Sequence, residues 1–329
     1  MKTILITGCA GLFGSNFSRH LIESGYMVVG VDNFFGGYRD FLPNHLNFKF
    51  YQKNLECDDI SIIFEENNID VVFHFAAYAA EGLSPFIRKF NYMNNVISSV
   101  SIINQCINRD IKIVFTSSMA VYGNLEAPFT ENMIPAPIDP YGIAKFSVEQ
   151  DLKSAHEQFG LRFNIVRPHN VLGIYQNIWD RYRNVIGIFI RRTLNNEPML
   201  IYGDGNQTRA FSDVLYYMEP LEKLIYSFDG EVYNIGADKH FTINEIANIV
   251  SEVAVEFGYS PTIEYSEPRH EVKHAYCDHS KAIDDLEFID NTNVRSLISE
   301  MFDWAKNQPI REVRTMNYEV NKDLYKYWM

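Results

Sequence analysis

Short apolar runs rich in β-branched residues alternate with longer amphipathic stretches along the first half of the chain. Runs that are apolar throughout are typical of strands buried on both faces of a parallel sheet, and the stretches between them suit crossover helices. The pattern predicts strands at 3–8, 28–32, 48–52, 71–76, 112–118 and 162–168. Right-handed crossovers between such strands would give a doubly wound parallel sheet of the α/β class. In the first helix, the pattern predicts Ser15 as the N-cap and Gly25 as the stop.

A change of rhythm after Pro168 separates a second lobe from the first. Segments rich in Gly, Asn, Trp and Arg follow, and later strands at 198–203 and 262–267 mix with helices at 242–257 and 293–307. A chain of 329 residues also exceeds the roughly 250–300 residues at which one hydrophobic core stops growing. We therefore expect a larger domain of residues 1–170 plus about 212–240, and a smaller mixed α/β lobe of residues 171–211 plus 241–329. The aromatic and charged tail, 310–329, carries no recognisable motif.

Composition and charge limit the partners. Lys and Arg number 29 against 42 Asp and Glu, and the resulting net charge of −13 repels nucleic-acid phosphates and anionic lipid. The sequence has no run of about 18 apolar residues and no signal-peptide pattern. Its four scattered cysteines lack the spacing of a disulfide framework or a thiolate metal site. We expect a cytoplasmic protein without nucleic-acid or membrane partners.

A glycine-rich segment follows the first predicted strand. Gly8, Gly11 and Gly14 have the spacing that allows a tight strand-to-helix turn, close approach of a pyrophosphate to the backbone, and close helix packing. Asp32 ends the next strand, where the acid that binds an adenosine ribose is expected. A carboxylate there accepts a hydrogen bond from the 2′-hydroxyl and repels a 2′-phosphate. The segment predicts a dinucleotide site that prefers NAD to NADP; the alternative is a structural turn with a solvated Asp32.

Tyr141 and Lys145 are four residues apart and would share one face of a helix. The spacing alone is weak evidence, because the tail holds a second such pair, Tyr318 and Lys322. The setting distinguishes the first pair: a proline precedes Tyr141 at a helix start, and the strand at 112–118 ends in clustered hydroxyl side chains. An ammonium beside the phenol favours phenolate, so we expect Tyr141 to accept a proton near neutral pH.

Taken in order, these motifs resemble those of the extended short-chain dehydrogenases/reductases, in the nucleotide-sugar epimerase and dehydratase family and most of all the UDP-glucose 4-epimerase type. The resemblance extends over about residues 1–305 and is carried by the segment 7–14, Asp32-Asn33, Asn54-Leu55, the segment 74–77, Asn95, Ser117-Ser118, the segment 121–123, Tyr141, Lys145, the segment 167–170, the segment 202–205 and Arg209. It implies a Rossmann domain that binds NAD and a smaller lobe that binds the nucleotide sugar. It also implies a homodimer formed through helices at about 89–108 and 141–159.

The resemblance further implies a role for each matching residue. Catalysis would be carried out by Ser118, Tyr141 and Lys145. NAD would be bound by Gly8, Gly11, Leu12, Phe13, Gly14, Asp32, Asn33, Asn54, Leu55, Phe75, Ala76, Ala77, Tyr78, Asn95, Thr116, Tyr141, Lys145 and Pro168. A nucleoside-diphosphate sugar, with UDP favoured, would be bound by Ser117, Ser118, Glu81, Asn170, Asn184, Tyr202, Arg209 and Arg269. No metal is expected.

Met119 and Ala120 distinguish among the reactions of the family. Family dehydratases carry an Asp-Glu pair at these positions, because eliminating water needs an added acid and base, and the related decarboxylases keep the glutamate. We therefore expect epimerisation at carbon 4 through a transient 4-keto sugar. The alternative is a dehydratase, a dehydrogenase or a reductase of the same family.

Two interpretations from other classes are also open. Residues 270–274, His-Glu-Val-Lys-His, match a zinc-hydrolase pattern, which on a helix would place both histidines on one face. The other interpretation is a regulatory protein that binds NAD without turnover. The arginines at 181, 183, 191 and 192 suit either a solvated helix face or contacts to a diphosphate.

Overall fold

The apolar runs of the first half form a sheet, and shorter strands build the second lobe. The computed structural model describes residues 1–269 and 271–328. The strands are β1 (Thr3–Thr7), β2 (Met27–Asp32), β3 (Phe48–Gln52), β4 (Val71–His74), β5 (Lys112–Thr116), β6 (Phe163–Pro168), β7 (Val171–Leu172), β8 (Met199–Tyr202), β9 (Thr208–Ala210), β10 (Ser212–Asp213), β11 (Glu231–Ile235), β12 (His240–Thr242), β13 (Ile263–Ser266) and β14 (His274–Ala275). The helices are α1 (Leu12–Glu23), α2 (Ser61–Glu65), α3 (Arg88–Tyr92), α4 (Ser98–Arg109), α5 (Pro140–Phe159), α6 (Val185–Leu194), α7 (Met218–Lys223), α8 (Ile243–Glu256), α9 (Ser280–Leu286) and α10 (Val294–Lys306). A π-helical segment, Met93–Ile97, joins α3 to α4, and 3₁₀ turns occur at Arg39–Phe41, Glu81–Phe86, Met119–Tyr122, Val214–Tyr217 and Lys326–Trp328.

The main sheet consists, over the described residues, of seven parallel strands in the order β11-β6-β5-β4-β1-β2-β3. This order confirms the predicted doubly wound α/β fold, and the six predicted strands are all present. The direction of winding reverses between β1 and β4, so the carboxyl ends of these two strands border a crevice. Ligands bind at such a crevice in folds of this kind, which makes it the first place to look for a site.

Helix α1 corrects one sequence-based prediction. It begins at Leu12 with Gly11 as its N-cap, so Ser15 is not the cap. The Ser15 hydroxyl donates instead to the Cys9 carbonyl at 3.3 Å, inside the turn that joins β1 to α1. The prediction was wrong because the glycine-rich turn runs directly into the helix and leaves its first N–H groups without a side-chain cap. The predicted stop is confirmed: Gly25 follows the end of the helix with a φ of +86°.

The second lobe has its own hydrophobic core. Helices α6, α8 and α10 pack together through buried apolar side chains that include Ile186, Phe189, Ile246, Val250, Ile298 and Phe302. Short strands surround them: β13 pairs with β8, β10 with β7, and β9 lies between β12 and β14. The predicted strands at 198–203 and 262–267 and the predicted helices at 242–257 and 293–307 are confirmed. In the part of the chain that the structure describes, no helix is both long enough and apolar enough to span a membrane.

The C-terminal segment 310–328, which we call the strap, packs against residues from distant parts of the chain. The Arg311 guanidinium lies 3.7 Å from the centre of the Tyr38 ring in the first domain. The Tyr318 hydroxyl is 2.7 Å from the Tyr182 hydroxyl in the second lobe, and Trp328 is buried. The strap is therefore packed into the fold, although the sequence of this tail carried no motif.

Candidate active site

A cavity of about 830 Å³ opens at the crevice between β1 and β4. All but two of the residues predicted to bind the cofactor or substrate, or to catalyse, line this cavity; the exceptions are Tyr78 and Asn95. The predicted residues that line it are Gly8, Gly11, Leu12, Phe13, Gly14, Asp32, Asn33, Glu81, Asn54, Leu55, Phe75, Ala76, Ala77, Thr116, Ser117, Ser118, Tyr141, Lys145, Pro168, Asn170, Asn184, Tyr202, Arg209 and Arg269. The fold thus brings side chains from both lobes to one site.

Three glycines shape the turn between β1 and α1. Gly8 has a φ of +70°, and a Cβ there would lie 2.8 Å from the backbone nitrogen of Ala76. A Cβ on Gly14 would lie 2.2 Å from the Gly8 carbonyl oxygen, so this glycine allows the helix to pack on the turn. Gly11 lines the cavity, and a Cβ there would have a single near protein atom, the Gly8 oxygen at 3.3 Å. A side chain at Gly11 would therefore occupy cavity space beside the helix N-terminus.

Asp32, at the end of β2, holds two loops at the rim of the cavity. One carboxylate oxygen accepts the N–H of Ala10 at 3.0 Å, and the other accepts the N–H of Phe34 at 2.7 Å. Burial raises the pKa of Asp32, while these two hydrogen bonds oppose the increase. A carboxylate has about four lone-pair sites, so Asp32 retains the capacity to accept hydrogen bonds from a ribose.

A buried histidine joins β1 to β4 beneath the cavity. The Thr7 hydroxyl and the His74 Nδ1 are 2.7 Å apart, and the His74 Nε2 is 2.9 Å from the Ser99 hydroxyl. Thr7 also accepts the N–H of Ala76 at 3.1 Å. Burial lowers the pKa of His74 to about 3, so the ring is neutral near pH 7. The network fixes the two strand ends that border the crevice.

Asn95 and Tyr78 lie behind the cavity wall. The Asn95 side chain accepts the N–H of Tyr78 at 2.7 Å and donates to its carbonyl at 3.2 Å, and both residues are 1% exposed. Asn95 therefore fixes the backbone that follows Ala77 and does not face the cavity, contrary to its predicted direct contact. A motif gives the position of a residue along the chain, but it does not tell which side of the wall the side chain occupies.

The start of helix α5 presents Tyr141 to the cavity. Asp139 caps the helix by accepting the N–H groups of Tyr141 at 2.9 Å and Gly142 at 3.0 Å. Pro140 occupies the first helical position, where its missing N–H costs nothing. The Tyr141 hydroxyl lies beside the Ser118 side chain, which follows β5 and acts to lower the pKa of the phenol. The cap and the strand end together bring the phenol and the serine into contact.

Lys145 lies one turn further along the same helix face. Its ammonium donates to the Thr116 carbonyl at 2.7 Å and lies 6.0 Å from the centre of the Tyr141 ring. Burial lowers the pKa of Lys145 to about 7, against the opposing effect of Glu149. Burial also raises the pKa of Tyr141, because desolvation outweighs the effect of Ser118. The spacing predicted the proximity of Lys145 and Tyr141, and desolvation of both groups acts against the effect of the ammonium on the phenol; proton transfer by Tyr141 stays a prediction.

A buried ion pair supports this group from behind. The Arg167 guanidinium contacts the Glu149 carboxylate at 2.9 Å and 2.6 Å, and the two side chains are 2% and 0% exposed. The Ser117 hydroxyl donates to the same carboxylate, and Arg167 donates to the Tyr122 hydroxyl at 2.7 Å. Glu149 lies one turn after Lys145 on α5, so the network joins that helix to the ends of β5 and β6.

Two arginines and a tyrosine line the second-lobe side of the cavity. Arg209 donates to the Glu271 carboxylate at 3.0 Å, and Arg269 lies 3.9 Å from the same carboxylate. The Arg269 guanidinium is also 4.0 Å from the centre of the Tyr202 ring. Glu271 therefore partly neutralises two cations that line a cavity wide enough for a ligand.

The remaining predicted substrate residues occupy varied positions. Asn184 accepts the N–H of Ile186 at 3.0 Å and so caps α6, while Asn170 donates to the Ala210 carbonyl at 3.0 Å. Glu81 has its pKa raised to about 7, by burial first and then by the nearby Asp139. These roles in the fold do not exclude ligand contacts, since all three side chains belong to residues that line the cavity.

Sequence reasoning missed part of the wall. Gly37 packs so closely on the turn that a Cβ would lie 2.0 Å from the Ala10 oxygen, and the Gly-Gly pair was the signal for this approach. Arg183 lines the cavity and is ion-paired to Asp180 at 3.2 Å, whereas the arginines at 191 and 192 are buried and do not form a solvated face. Other lining residues without a motif signal include Lys53, Asn94, Ser98, Val320, Asp323 and Tyr325.

The segment that matched a zinc-hydrolase pattern is not helical where the structure describes it. His274 begins β14, and its Nδ1 is 2.9 Å from the Thr208 hydroxyl. Glu271 is bound to Arg209, and His270 lies outside the described residues. The zinc interpretation required one helix face for both histidines, so the extended backbone removes its geometric basis.

The Rossmann sheet, the glycine-rich turn with Asp32 and the Ser118-Tyr141-Lys145 group define a dinucleotide-dependent α/β enzyme. The NAD dependent epimerase/dehydratase family matches residues 4–236, and the chain belongs to this family. NAD is the cofactor of the family. The resemblance on which the sequence-based predictions rested is thereby confirmed.

Individual relatives cover most of the chain. The crystal structure of UDP-glucose 4-epimerase with UDP-glucose from Thermotoga maritima has 30% identity and a TM-score of 0.85, over 92% of this chain and 98% of that one. A UDP-N-acetylglucosamine 4-epimerase from Methanobrevibacter ruminantium, in complex with UDP-N-acetylmuramic acid, has 32% identity and a TM-score of 0.84 at the same coverage. A human dTDP-D-glucose 4,6-dehydratase is 30% identical over 78% of this chain and 75% of its own length. The matches therefore include more than one reaction of the family.

Proposed function

We propose that this enzyme catalyses the NAD-dependent 4-epimerisation of a nucleoside-diphosphate sugar, with UDP as the favoured nucleotide. The observation that carries the proposal is that Ser118, Tyr141 and Lys145 line one cavity together with Met119, where Met119 and the following Ala120 stand in place of the acid pair of the dehydratases. Such a site has a group to move one hydroxyl proton and lacks the pair used to eliminate water. The similarity to 4-epimerases over 92% of the chain agrees with this choice.

The cavity residues fit NAD. Gly11 leaves space at the N-terminus of α1 for a pyrophosphate, and Asp32 can accept hydrogen bonds from a ribose. The buried Thr116 hydroxyl lines the cavity and has no hydrogen-bond partner among the described residues, which leaves it able to contact a bound group. Lys145, beside Tyr141, is the fourth residue of the cavity that could contact bound NAD.

Tyr141 and Ser118 would act on the sugar 4-hydroxyl. Tyr141 accepts the hydroxyl proton, and Ser118 hydrogen-bonds the same oxygen and keeps the phenol oriented. When bound, NAD would supply a hydride acceptor in its oxidised form and, in its reduced form, the donor that gives the same hydride back to carbon 4, and the positive charge of the oxidised form would offset the effect of burial on the Tyr141 pKa. Tyr141 then returns the proton to the oxygen of the keto sugar after the sugar has presented its other face. Lys145, held on the Thr116 carbonyl, keeps positive charge next to the phenol in its protonated form.

Arg209 and Arg269 would bind the diphosphate. Both arginines are ion-paired with Glu271, and a diphosphate would replace that carboxylate as their anionic partner. Tyr202, on which Arg269 is stacked, would lie under the base. Sugar, diphosphate and base then follow one another from Tyr141 toward the second lobe.

A dehydratase of the same family is the second candidate, and one observation favours it. Glu81 lines the cavity, acts electrostatically on Tyr141, and has its pKa raised to about 7. A carboxyl of that acidity could act as an acid or base at a second position of the sugar, as elimination requires.

Product analysis separates the candidates. The protein, purified with its NAD, is incubated with UDP-, dTDP-, GDP- and CDP-hexoses, and the products are followed by NMR and mass spectrometry. The proposal expects a mixture of two sugars of equal mass that differ at carbon 4. A 4-keto-6-deoxy product, lighter by one water, would contradict it and support the dehydratase.

We also propose a homodimer. Met93, Ile97 and Ile143 are at least one-third exposed on the neighbouring π-helical segment and helix α5, and an apolar helix face of this kind is suited to a second copy of the chain. Light scattering on the full chain measures the oligomeric state, and a monomeric mass would contradict the proposal.

A further inference from the structure

The strap is held firmly next to the cavity. The Glu319 carboxylate accepts the N–H groups of Lys89 and Phe90 at 2.6 Å and 2.9 Å, at the N-terminus of α3. The backbone N–H groups of Glu319 and Val320 both donate to the Phe86 carbonyl, at 2.8 Å and 3.2 Å. These bonds tie the strap to the 3₁₀ turn that carries Glu81, so the residues that follow Val320 have a fixed starting point.

A series of interacting groups runs from the catalytic tyrosine to the strap. Glu81 acts electrostatically on Tyr141 on one side and on Arg269 on the other. Arg269 lies over the Tyr202 ring at 4.0 Å, and the Tyr202 ring is 6.3 Å from that of Tyr325 in the strap. The strap therefore borders the end of the cavity at Tyr202, which is the end of this series opposite the catalytic tyrosine.

The order of these groups matches the order of parts in a nucleotide sugar. With the sugar at Tyr141 and the diphosphate at Arg269, the nucleoside lies at Tyr202 and reaches the strap. Tyr325 lines the cavity at this end, and Lys322 and Asp323, which precede it by three and two residues, also line the cavity.

The two charged residues at this end have no role in holding the fold. Neither the Lys322 ammonium nor the Asp323 carboxylate forms a hydrogen bond or an ion pair with any residue that the structure describes. Asp323 has a φ of +57°, in the left-handed region, and the next residue, Leu324, is buried. The backbone that carries the pair is thus anchored, while the charges face the cavity and solvent.

We propose that the strap is the part of the enzyme that recognises the nucleoside and selects the base. This inference rests on the proposed function for the order of the subsites. Asp323 accepts hydrogen bonds from N–H groups of the base edge or hydroxyls of the ribose, Lys322 donates to base carbonyls, and Tyr325 adds an aromatic face. A base with a neighbouring carbonyl and N–H, as in uracil, thymine or guanine, matches this donor and acceptor pair.

The test measures nucleotide binding separately from turnover. Lys322→Ala, Asp323→Asn and Tyr325→Ala are made in the full chain, and the matched control is Lys326→Ala, an exposed strap lysine outside the cavity wall. Calorimetry with UDP is the first readout, and the panel of UDP-, dTDP-, GDP- and CDP-sugars is the second. Melting temperature and NAD content verify that each variant is folded and loaded.

We expect the strap variants to lose affinity for the nucleoside and to keep the rate of the chemical step. The Lys322 and Asp323 variants should bind UDP about tenfold to a hundredfold more weakly, which is the range for losing a charged hydrogen bond. KM should rise while kcat at saturating substrate stays within about threefold of the parent. The preference between two bases carrying the same sugar should shrink, whereas the preference between two sugars on UDP should not change.

Two outcomes would overturn the inference, and a third would implicate the proposed function instead. Unchanged UDP binding in all three strap variants refutes it, and so does an equal loss in Lys326→Ala. If the parent enzyme binds nucleoside diphosphates at the strap but converts none of the sugars, the proposed reaction is wrong and nucleoside recognition by the strap still stands. If the parent binds no nucleoside diphosphate, both proposals are wrong.

Discussion

Replacing Tyr141 by phenylalanine removes one oxygen from the site and leaves the ring that packs there. The ring is 7% exposed, so bulk water has little access to the vacated position. Loss of a positioned acid–base group lowers a rate by about 10²–10⁴-fold. At about 1.4 kcal/mol per decade, this corresponds to roughly 3–5 kcal/mol of activation free energy.

The cost to folding should be far smaller. The polar neighbour of the phenol is Ser118, and even a full hydrogen bond of this kind contributes only about 0.5–1.5 kcal/mol to stability. We therefore expect Tyr141→Phe to lower kcat by at least about a hundredfold, with KM and NAD content near those of the parent and a melting temperature lower by no more than a few degrees. The rate is measured by NMR of the product sugar and, in a single turnover, by the absorbance of reduced nicotinamide.

The matched control is Tyr265→Phe. Tyr265 is 60% exposed and lies outside the cavity wall, and its hydroxyl makes one hydrogen bond, to Asn244 at 3.0 Å. It should keep the parent rate. A Tyr141→Phe enzyme with the parent rate, or equal losses in the two variants, would refute the assignment of proton transfer to Tyr141.

Three further predictions follow from the buried and half-buried groups. Calorimetry should find NAD bound much more tightly than NADP, and equal affinities in the parent would contradict the role of Asp32. Asp32→Asn should reduce the ratio of the NAD affinity to the NADP affinity, since it removes the charge that repels a 2′-phosphate. Glu149→Gln should lower the free energy of unfolding by about 3–5 kcal/mol, because it leaves the Arg167 guanidinium buried without its anion. Urea titration compares this variant with Glu157→Gln, an exposed position on the same helix, and equal stabilities of the two variants would be inconsistent with the buried pair. The pKa of His74 falls from 6.5 to about 3 on folding, so the stability that its neutral form contributes is complete above pH 6.5 and is lost as the pH falls toward 3. The free energy of unfolding, measured across this pH range, should depend less on pH in His74→Gln than in the parent. Parallel pH dependences in the two proteins would contradict the low pKa of His74.

The fold was accessible from the sequence because each of its signals is local. Uniformly apolar runs marked strands buried on both faces, and the glycine spacing marked the turn at which Gly8 adopts a positive φ. The position of Tyr141 followed from Pro140, since a proline at the first helical position marks a helix start from neighbouring residues alone.

Properties that depend on packing were not accessible. Spacing placed Lys145 near Tyr141, but the acidity of both groups is governed by the residues that exclude water from them. Asn95 was expected at the ligand and instead holds the backbone of Tyr78, because a motif does not indicate the side of the wall. The strap contacts residues more than 200 positions earlier in the chain, and no pattern within the tail encodes contacts of that range.

Glu271 gives the enzyme an internal anion at the place proposed for the diphosphate. A diphosphate that bound there as proposed would replace Glu271 as the anionic partner of Arg209, so its net affinity would be the difference between two ion-pairing arrangements. Substrate and product of a 4-epimerase carry the same diphosphate, and a site that bound this group without competition would retain both. For the proposed 4-epimerase reaction, the carboxylate would act as a resident competitor that lets the product leave, with some ground-state affinity given up for faster release in either direction.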